Sequence, residues 1–143
     1  MVIRRAEHSD LPVVRRLLDS QHLPLDGIDE HLETMVVATV GSDVVGAAAV
    51  ELYEDGALLR SVVVSPPVRG QGLGHRLSEA ALSIARDRGT RTAFLLTTTA
   101  EGFFPKLGFE PVVREDVPAS VKTSIEFQSA CPASATVMRK LLA

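Results

Sequence analysis

A short glycine-rich turn at residues 69–74, Arg-Gly-Gln-Gly-Leu-Gly, constrains this chain more than any other stretch. It follows an apolar run at residues 57–65 and precedes residues 75–88, where apolar residues recur at helical spacing. Glycines at alternate positions between a strand and a helix leave backbone N–H groups unobstructed by side chains. The start of the helix adds partial positive charge. The turn therefore predicts a phosphate or pyrophosphate site.

The rest of the chain predicts strands and helices around that turn. Strands are expected at residues 2–5, 35–40, 44–52, 57–65, 92–98, 109–113 and 135–142, and shorter helical segments at residues 100–107 and 119–124. A helix capped by Ser9 or Asp10, with Pro12 in its first turn, extends to about Ser20. Residues 23–27 break the pattern, and they either cross a substrate site or form a plain surface connection.

Composition favours a single domain, residues 1–143, that binds a small molecule. The chain is 45% hydrophobic. Its formal net charge of -3 does not favour binding to nucleic acid or to an anionic membrane. One cysteine, Cys131, cannot form an internal disulfide, and the start of the chain lacks a signal-peptide pattern, so a cytoplasmic protein is expected. No metal site is expected, because the histidines are scattered without ligand spacing: His8, His22, His31 and His75.

The surroundings of the glycine turn exclude two common phosphate-binding motifs. A dinucleotide-binding fold would place Gly-x-Gly-x-x-Gly after its first strand, whereas this turn follows several antiparallel strands and has no glycine at the third position of that motif. A P-loop would need Gly-Lys-Ser or Gly-Lys-Thr, which is absent. The spacing Arg-x-x-Gly-x-Gly instead resembles the pyrophosphate motif of the GNAT superfamily of N-acetyltransferases. Residues 95–109, with the pair Phe103-Phe104 and the later Gly108-Phe109, resemble a second block of that superfamily.

The resemblance implies an α/β (α+β) fold with a twisted, mostly antiparallel sheet of six or seven strands. About four helices flank the sheet, and the central strands splay apart to admit acetyl-CoA. The backbone of one strand would pair with the pantetheine arm, the turn would hold the pyrophosphate, and flanking side chains would add contacts. These implied cofactor residues are Val62, Val63, Val64, Arg69, Gly70, Gln71, Gly72, Leu73, Gly74, His75 and Phe104.

Two further motifs resemble narrower groups within the superfamily. Leu96-Thr97-Thr98, the Phe103-Phe104 pair and the later Val117-Pro118 are similar to the N-acetylglutamate-synthase-like branch. The segments at residues 23–27 and 124–135 are most similar to small acetyltransferases associated with arsenic-resistance operons. This resemblance leaves the substrate itself open. The residues themselves offer candidate substrate contacts: Lys122 and Ser124 from the tail, and the hydroxyls of Thr97 and Thr98, although threonines are also ordinary strand residues.

Both acid–base positions common in the superfamily carry apolar residues here. The position of the frequent tyrosine acid is Phe104, and the position of the glutamate base of histone-modifying relatives is Leu58. Neither side chain transfers a proton. Catalysis is therefore expected to rest on positioning the two reactants, which can supply about 7 kcal/mol or more, with solvent-mediated proton transfer.

The remaining polar residues give weaker candidates. Glu51 is a candidate base, with a solvated strand-end carboxylate as the alternative. Arg60 lies in an apolar run and needs a partner, so it either binds a substrate carboxylate in bidentate fashion or pairs with Glu51. Tyr53, the single tyrosine, is expected to be a packing residue. Thr99 adds another hydroxyl near the site, and Cys131 is expected to be buried and inert.

These observations predict an acetyl-CoA-dependent N-acetyltransferase for a small amino acid or analogue with a carboxylate. Direct transfer in a ternary complex is the expected mechanism, and arsenic resistance is a candidate role. One alternative is glutamate N-acetylation in arginine biosynthesis. Another is a CoA-binding sensor without turnover, which the missing acid and base favour. A homodimer through the tail strand is a further expectation.

Overall fold

The computed structural model describes residues 1–98, 100–130 and 134–142. Its strands are β1 (Val2–Arg5), β2 (Met35–Val40), β3 (Asp43–Tyr53), β4 (Gly56–Val64), β5 (Thr92–Thr97), β6 (Glu110–Pro111) and β7 (Thr136–Leu141). Three α-helices accompany them in the described residues: α1 (Leu11–Ser20), α2 (Leu73–Asp87) and α3 (Ala119–Lys122). The strands form one sheet in the order β1-β2-β3-β4-β5-β7-β6.

The sheet is antiparallel between all of its described neighbours except β4 and β5, which run parallel. The first four strands form a meander, as the closely spaced turns at residues 41–43 and 54–56 predict. The predicted fold class, a mixed and mostly antiparallel α+β sheet, is confirmed. Within the described part of the chain, none of the helices has the length and apolar character needed to cross a membrane.

Alternating side chains bury the two faces of the sheet against different helices. On β2, Val36 and Ala38 pack in the cluster that contains α2, whereas Met35 and Val37 pack in the cluster that contains α1. This period of two explains why β2 and β3 are apolar at nearly every position. Position 46 requires glycine, because an added Cβ would lie only 2.8 Å from Leu77 Cδ1 on α2.

The parallel strands β4 and β5 pair over only two positions, Ala57 with Ala93 and Leu58 with Phe94. Beyond Leu58 the two strands diverge, as the predicted splay of the central strands requires. The remaining length of β4 on this side is left without a strand partner. The fork between the strands contains a cavity.

Several element boundaries differ from the prediction. The helix after the glycine turn begins at Leu73, two residues before the predicted start at residue 75. The helical segment predicted at residues 100–107 contains only one 3-10 turn, Phe104–Leu107, because Pro105 lacks an N–H and Gly108 ends the turn at a φ of 94°. The strand predicted at residues 109–113 is reduced to β6, where Pro111 removes a donor from the ladder.

Candidate active site

The glycine turn has the geometry that a phosphate site needs. Gly70 and Gly72 adopt left-handed φ values of 85° and 73°, and an added Cβ at either position would meet no atom within 4 Å. Gly72 is also the N-cap of α2, without a side-chain cap. The first backbone N–H groups of a helix have no intrahelical acceptor, and here they follow directly after the open turn.

A cavity of about 650 Å³ extends from this turn into the fork between β4 and β5. Its walls come from the segment after α1, from β4, from the glycine turn and from β5. Ten of the eleven predicted cofactor residues line it: Val62, Val63, Val64, Arg69, Gly70, Gly72, Leu73, Gly74, His75 and Phe104. The eleventh, Gln71, does not line the cavity and is exposed. The segment at residues 21–24 also lines the cavity, so it is more than a plain surface connection.

Arg69 connects the turn to the segment after α1. Its guanidinium donates to the Gln21 side-chain oxygen and, through Nε, to the Val64 carbonyl at 3.3 Å. Both residues that it contacts line the cavity. Arg69 therefore bridges two walls at the end of the cavity that carries the glycine turn.

A β-bulge changes the direction of β4 beside the cavity. Ala47 pairs with Val63 and Ala49 pairs with Arg60, so β4 contains one residue more than β3 between these two pairs. Ser61 lies in the bulge with a φ of 59°, which is uncommon for a residue other than glycine. Its hydroxyl accepts a hydrogen bond from Arg60 Nε at 3.0 Å.

Arg60 is the centre of a buried charge cluster on the other side of the cavity. Its side chain is fully buried, and Nη1 lies 2.8 Å from Glu51 Oε2. Nε lies 3.4 Å from Glu126 Oε2, and Nη2 donates to the Pro24 carbonyl at 3.4 Å. Arg60 therefore pairs with Glu51, as one of the two predicted arrangements requires, while it also lines the cavity.

Glu51 is buried and fully engaged by the protein, so the solvated alternative is wrong. It accepts hydrogen bonds from Arg60 and from the Tyr53 hydroxyl, and its Oε2 lies 3.1 Å from His31 Nε2. Burial alone would raise the pKa of Glu51, but hydrogen bonds from His31, Tyr53 and Arg60 outweigh it and hold the pKa at about 2. A carboxylate this acidic is a poor proton acceptor, and the geometry therefore argues against the base predicted at Glu51.

Tyr53 belongs to this cluster rather than to the apolar packing alone. Burial and its hydrogen bond to Glu51 raise the pKa of the phenol above its ordinary value. The hydroxyl therefore stays protonated and acts as a donor to Glu51. Ser124, which is buried, is also close enough to hydrogen-bond with Tyr53.

Glu126 is a buried cavity residue that the sequence analysis did not identify. Its side chain is 4% exposed and lies in a π-helical turn, Glu126–Ala130. Burial raises the pKa of this carboxyl to about 7; the charge of Arg60 opposes the shift and that of Glu51 adds to it. One signal was available in the sequence, since Glu126 is flanked by Ile125 and Phe127 in an otherwise polar stretch.

The predicted acceptor-binding residues divide into two groups. Thr97 and Thr98 line the cavity, and the Thr97 hydroxyl accepts from the Ala100 N–H at 2.9 Å. Lys122 and Ser124 do not line the cavity, which corrects their predicted place. Thr99 and Cys131 lie outside the described residues. No group of three or more His, Cys, Asp or Glu side chains suited to a metal occurs among the residues that are described.

Comparisons with known proteins agree with this geometry. Residues 31–111 match the family described as Acetyltransferase (GNAT) domain. An amino-acid acetyltransferase of Mycobacterium tuberculosis is 31% identical over 131 residues, which cover 84% of this chain and 74% of that protein. A crystal structure of an M. tuberculosis protein in complex with CoA superposes with a TM-score of 0.84 at 28% identity, and the alignment covers 100% of both chains.

The same fold occurs in a larger enzyme. N-acetylglutamate synthase of Neisseria gonorrhoeae, solved with coenzyme A and N-acetyl-glutamate, superposes with a TM-score of 0.85 at 21% identity. The alignment covers 99% of this chain, which spans about a third of that enzyme, 35%. The family match, the relative that is 31% identical and the open glycine turn at the fork lead to one conclusion. This chain belongs to the GNAT family of acetyltransferases.

Proposed function

We propose that this chain is a single-domain, cytoplasmic N-acetyltransferase that transfers an acetyl group from acetyl-CoA to the amine of a small amino acid. The observation that carries the proposal is the continuity of the cavity, which joins the glycine turn to the buried charges of Arg60 and Glu126. One end suits a pyrophosphate and the other suits a small charged acceptor. The similarity to an amino-acid acetyltransferase over most of both chains supports the same class of acceptor.

The donor half of the cavity fits acetyl-CoA on two observations. The open space at Gly70 and Gly72 lets a diphosphate approach the backbone at the start of α2. Beyond Leu58, β4 has no pairing with β5, so the backbone of Val62, Val63 and Val64 borders the fork. The amides of a pantetheine arm would complete this edge in the manner of an added strand.

The acceptor half is proposed to bind an amino acid by charge. Three of the nitrogens of Arg60 already contact protein oxygens, and Nη1 and Nη2 each carry a second N–H that these contacts leave for a substrate carboxylate. Such a contact would hold the acceptor in the fork near the thioester. Transfer would then proceed directly between the two bound reactants, with much of the rate enhancement coming from their orientation.

The first candidate acceptor is a carboxylate-bearing analogue of glutamate, such as one that contains arsenic, which would connect this chain to arsenic resistance. The structural likeness to N-acetylglutamate synthase favours glutamate itself as a second candidate, with a role in arginine biosynthesis. The two candidates differ only in the acid group at the far end of the substrate. The proposal also includes a homodimer, whose interface the structure does not describe.

Thiol release from acetyl-CoA tests the function directly. The panel contains the common L-amino acids together with glutamate analogues whose distal carboxylate is replaced by a phosphorus or arsenic acid. Turnover of one or more members supports the proposal, and the member with the highest kcat/KM identifies the acceptor. Tight acetyl-CoA binding in calorimetry without turnover of any member would contradict it and favour a CoA sensor.

A further inference from the structure

Glu126 places a carboxylate in the wall of the cavity. Among the described residues that line the cavity, it is the only aspartate or glutamate. It is also nearly inaccessible to bulk solvent, with 4% of the residue exposed. A buried carboxylate in a ligand cavity needs a cationic partner, either from the protein or from the ligand.

Glu126 is the less closely paired of the two carboxylates that contact Arg60. Arg60 is the nearest cation to Glu126, but its closer contact, at 2.8 Å, is with Glu51, and its distance to Glu126 is 3.4 Å. His31 faces Glu51 rather than Glu126, at 3.1 Å. One guanidinium therefore serves two buried carboxylates. A ligand that brings one positive charge to Glu126 would balance the cluster.

We propose that Glu126 is the general base of the acetyl transfer: its carboxylate receives the ammonium group of the acceptor and removes one proton from it. The inference rests on the proposed function, since it requires an amine acceptor in the cavity. It also assigns the two glutamates different tasks. Glu51 holds Arg60 in place, and Glu126 acts on the substrate.

The proton balance of the step is complete with this assignment. An ammonium group carries three protons, and the amide product keeps one of them. Glu126 takes the first, which leaves a neutral amine with a lone pair. The nitrogen then forms a bond to the thioester carbonyl carbon, the carbon–sulfur bond breaks, and the sulfur leaves with the bonding electrons. The second proton neutralises that thiolate, and Glu126 returns the first to solvent.

The charges around Glu126 suit a base that works near neutral pH. Arg60 on β4 lowers the pKa of the carboxyl, Glu51 on β3 raises it, and His31 and Asp26 from the segment between α1 and β2 lower and raise it respectively. Burial is the largest influence, and the resulting pKa is about 7. An approaching ammonium would favour the charged carboxylate further, because opposite charges stabilise each other in a poorly solvated site.

The test compares Glu126→Gln with the same change at Glu115, which is exposed and does not line the cavity. With acetyl-CoA and the best acceptor of the amino-acid panel, Glu126→Gln should lower kcat/KM at pH 7 by about 100-fold or more, the usual effect of losing a general base. The Kd for acetyl-CoA should stay within threefold of wild type for both variants. Glu126→Asp, which keeps the carboxylate, should recover part of the rate.

The pH profile separates a catalytic role from a structural one. Wild-type kcat/KM should fall below a pKa near 7, whereas Glu126→Gln should lose this limb and rise steadily toward the pKa of the free amine. The difference between the two proteins should therefore shrink to less than about tenfold at pH 9.5, where the amine deprotonates without help.

Each outcome decides a separate question. An active wild type with Glu126→Gln within threefold of it at pH 7, or with a constant deficit at every pH, would overturn the role of Glu126 and leave the proposed function intact. A wild type that turns over no amine would overturn the proposed function and this inference together.

Discussion

Replacing Glu51 with glutamine should destabilise the protein strongly at neutral pH and progressively less as the pH falls toward 2. The substitution keeps the shape of the side chain and removes its charge. Arg60, whose side chain is fully buried, then loses the counter-ion 2.8 Å away and keeps only Glu126 at 3.4 Å. A buried cation that loses its closest partner is costly because water cannot replace the lost interaction.

The structure gives the size of the effect. The pKa of Glu51 is lowered from 4.5 to about 2 in the folded protein. At about 1.4 kcal/mol for each pKa unit, this shift means that ionised Glu51 contributes on the order of 3 kcal/mol to the free energy of unfolding at neutral pH. Breaking a buried ion pair usually costs about 3–5 kcal/mol, and the lower end applies here because Glu126 remains.

The direction of this pH dependence follows from the lowered pKa of Glu51. A group that is more acidic when folded stabilises the protein above its unfolded pKa, and this contribution disappears as pH falls toward the folded value. Urea unfolding at pH 7, 4.5 and 3 should therefore show the difference between wild type and Glu51→Gln shrinking as the pH decreases. Glu54→Gln, at an exposed position three residues along the chain, is the matched control and should change stability by less than about 0.5 kcal/mol. A Glu51→Gln protein as stable as this control at pH 7 would refute the buried network.

Three further predictions follow from the same geometry. Glu126→Gln should unfold at a higher temperature than wild type at pH 8 and at the same temperature at pH 4, because burial raises the pKa of Glu126 to about 7 and its charged form is disfavoured above that pH. Gly72→Ala should weaken acetyl-CoA binding, measured by calorimetry. Gly41→Ala is the matched control, because it meets the same left-handed backbone penalty of about 1–2 kcal/mol away from the cavity and should leave the affinity unchanged. Equal affinities of the two variants would contradict the role of the turn. Arg60→Lys should raise KM for a carboxylate acceptor at least tenfold and KM for acetyl-CoA by less than about threefold, and parallel increases would exclude Arg60 from the acceptor site.

The glycine turn at the start of α2 could be predicted because it depends on local sequence. The turn at residues 69–74 combines glycines with the start of a helix, and both features are visible within a few neighbouring positions. The order of strands around the turn was equally clear, since apolar alternation and short turns fix an antiparallel meander. Boundaries were less accurate where a single residue decides them, as Pro111 does for β6.

Only part of the charge cluster could be predicted, because its third member comes from a distant segment. Arg60 and Glu51 lie on neighbouring strands, and their pairing is one of the two arrangements that the sequence predicts, whereas Glu126 follows α3 and nothing in the sequence around Arg60 specifies it. Arg60 was noticed only because a charge in an apolar strand needs a partner. For Glu51 a strand end normally means solvent, and here the neighbouring segment with His31 covers it.

The bulge at Ser61 explains how one strand forms both halves of the cavity. Before it, Ala57 and Leu59 pack in the α2 cluster, so strict alternation would place Val63 there as well. Instead, Val62 and Val64 pack in the α2 cluster and Val63 packs in the α1 cluster, so the extra residue exchanges the two faces of β4. Three consecutive valines are apolar on either face and give no sign of this exchange. The exchange lets Arg60 meet Glu51 and Glu126 on one side of the bulge, while the strand edge beyond it faces the fork as a docking edge for the donor. In the proposed function, donor and acceptor would thus be positioned by nearby residues of a single strand, which would fix their separation more tightly than two independent loops.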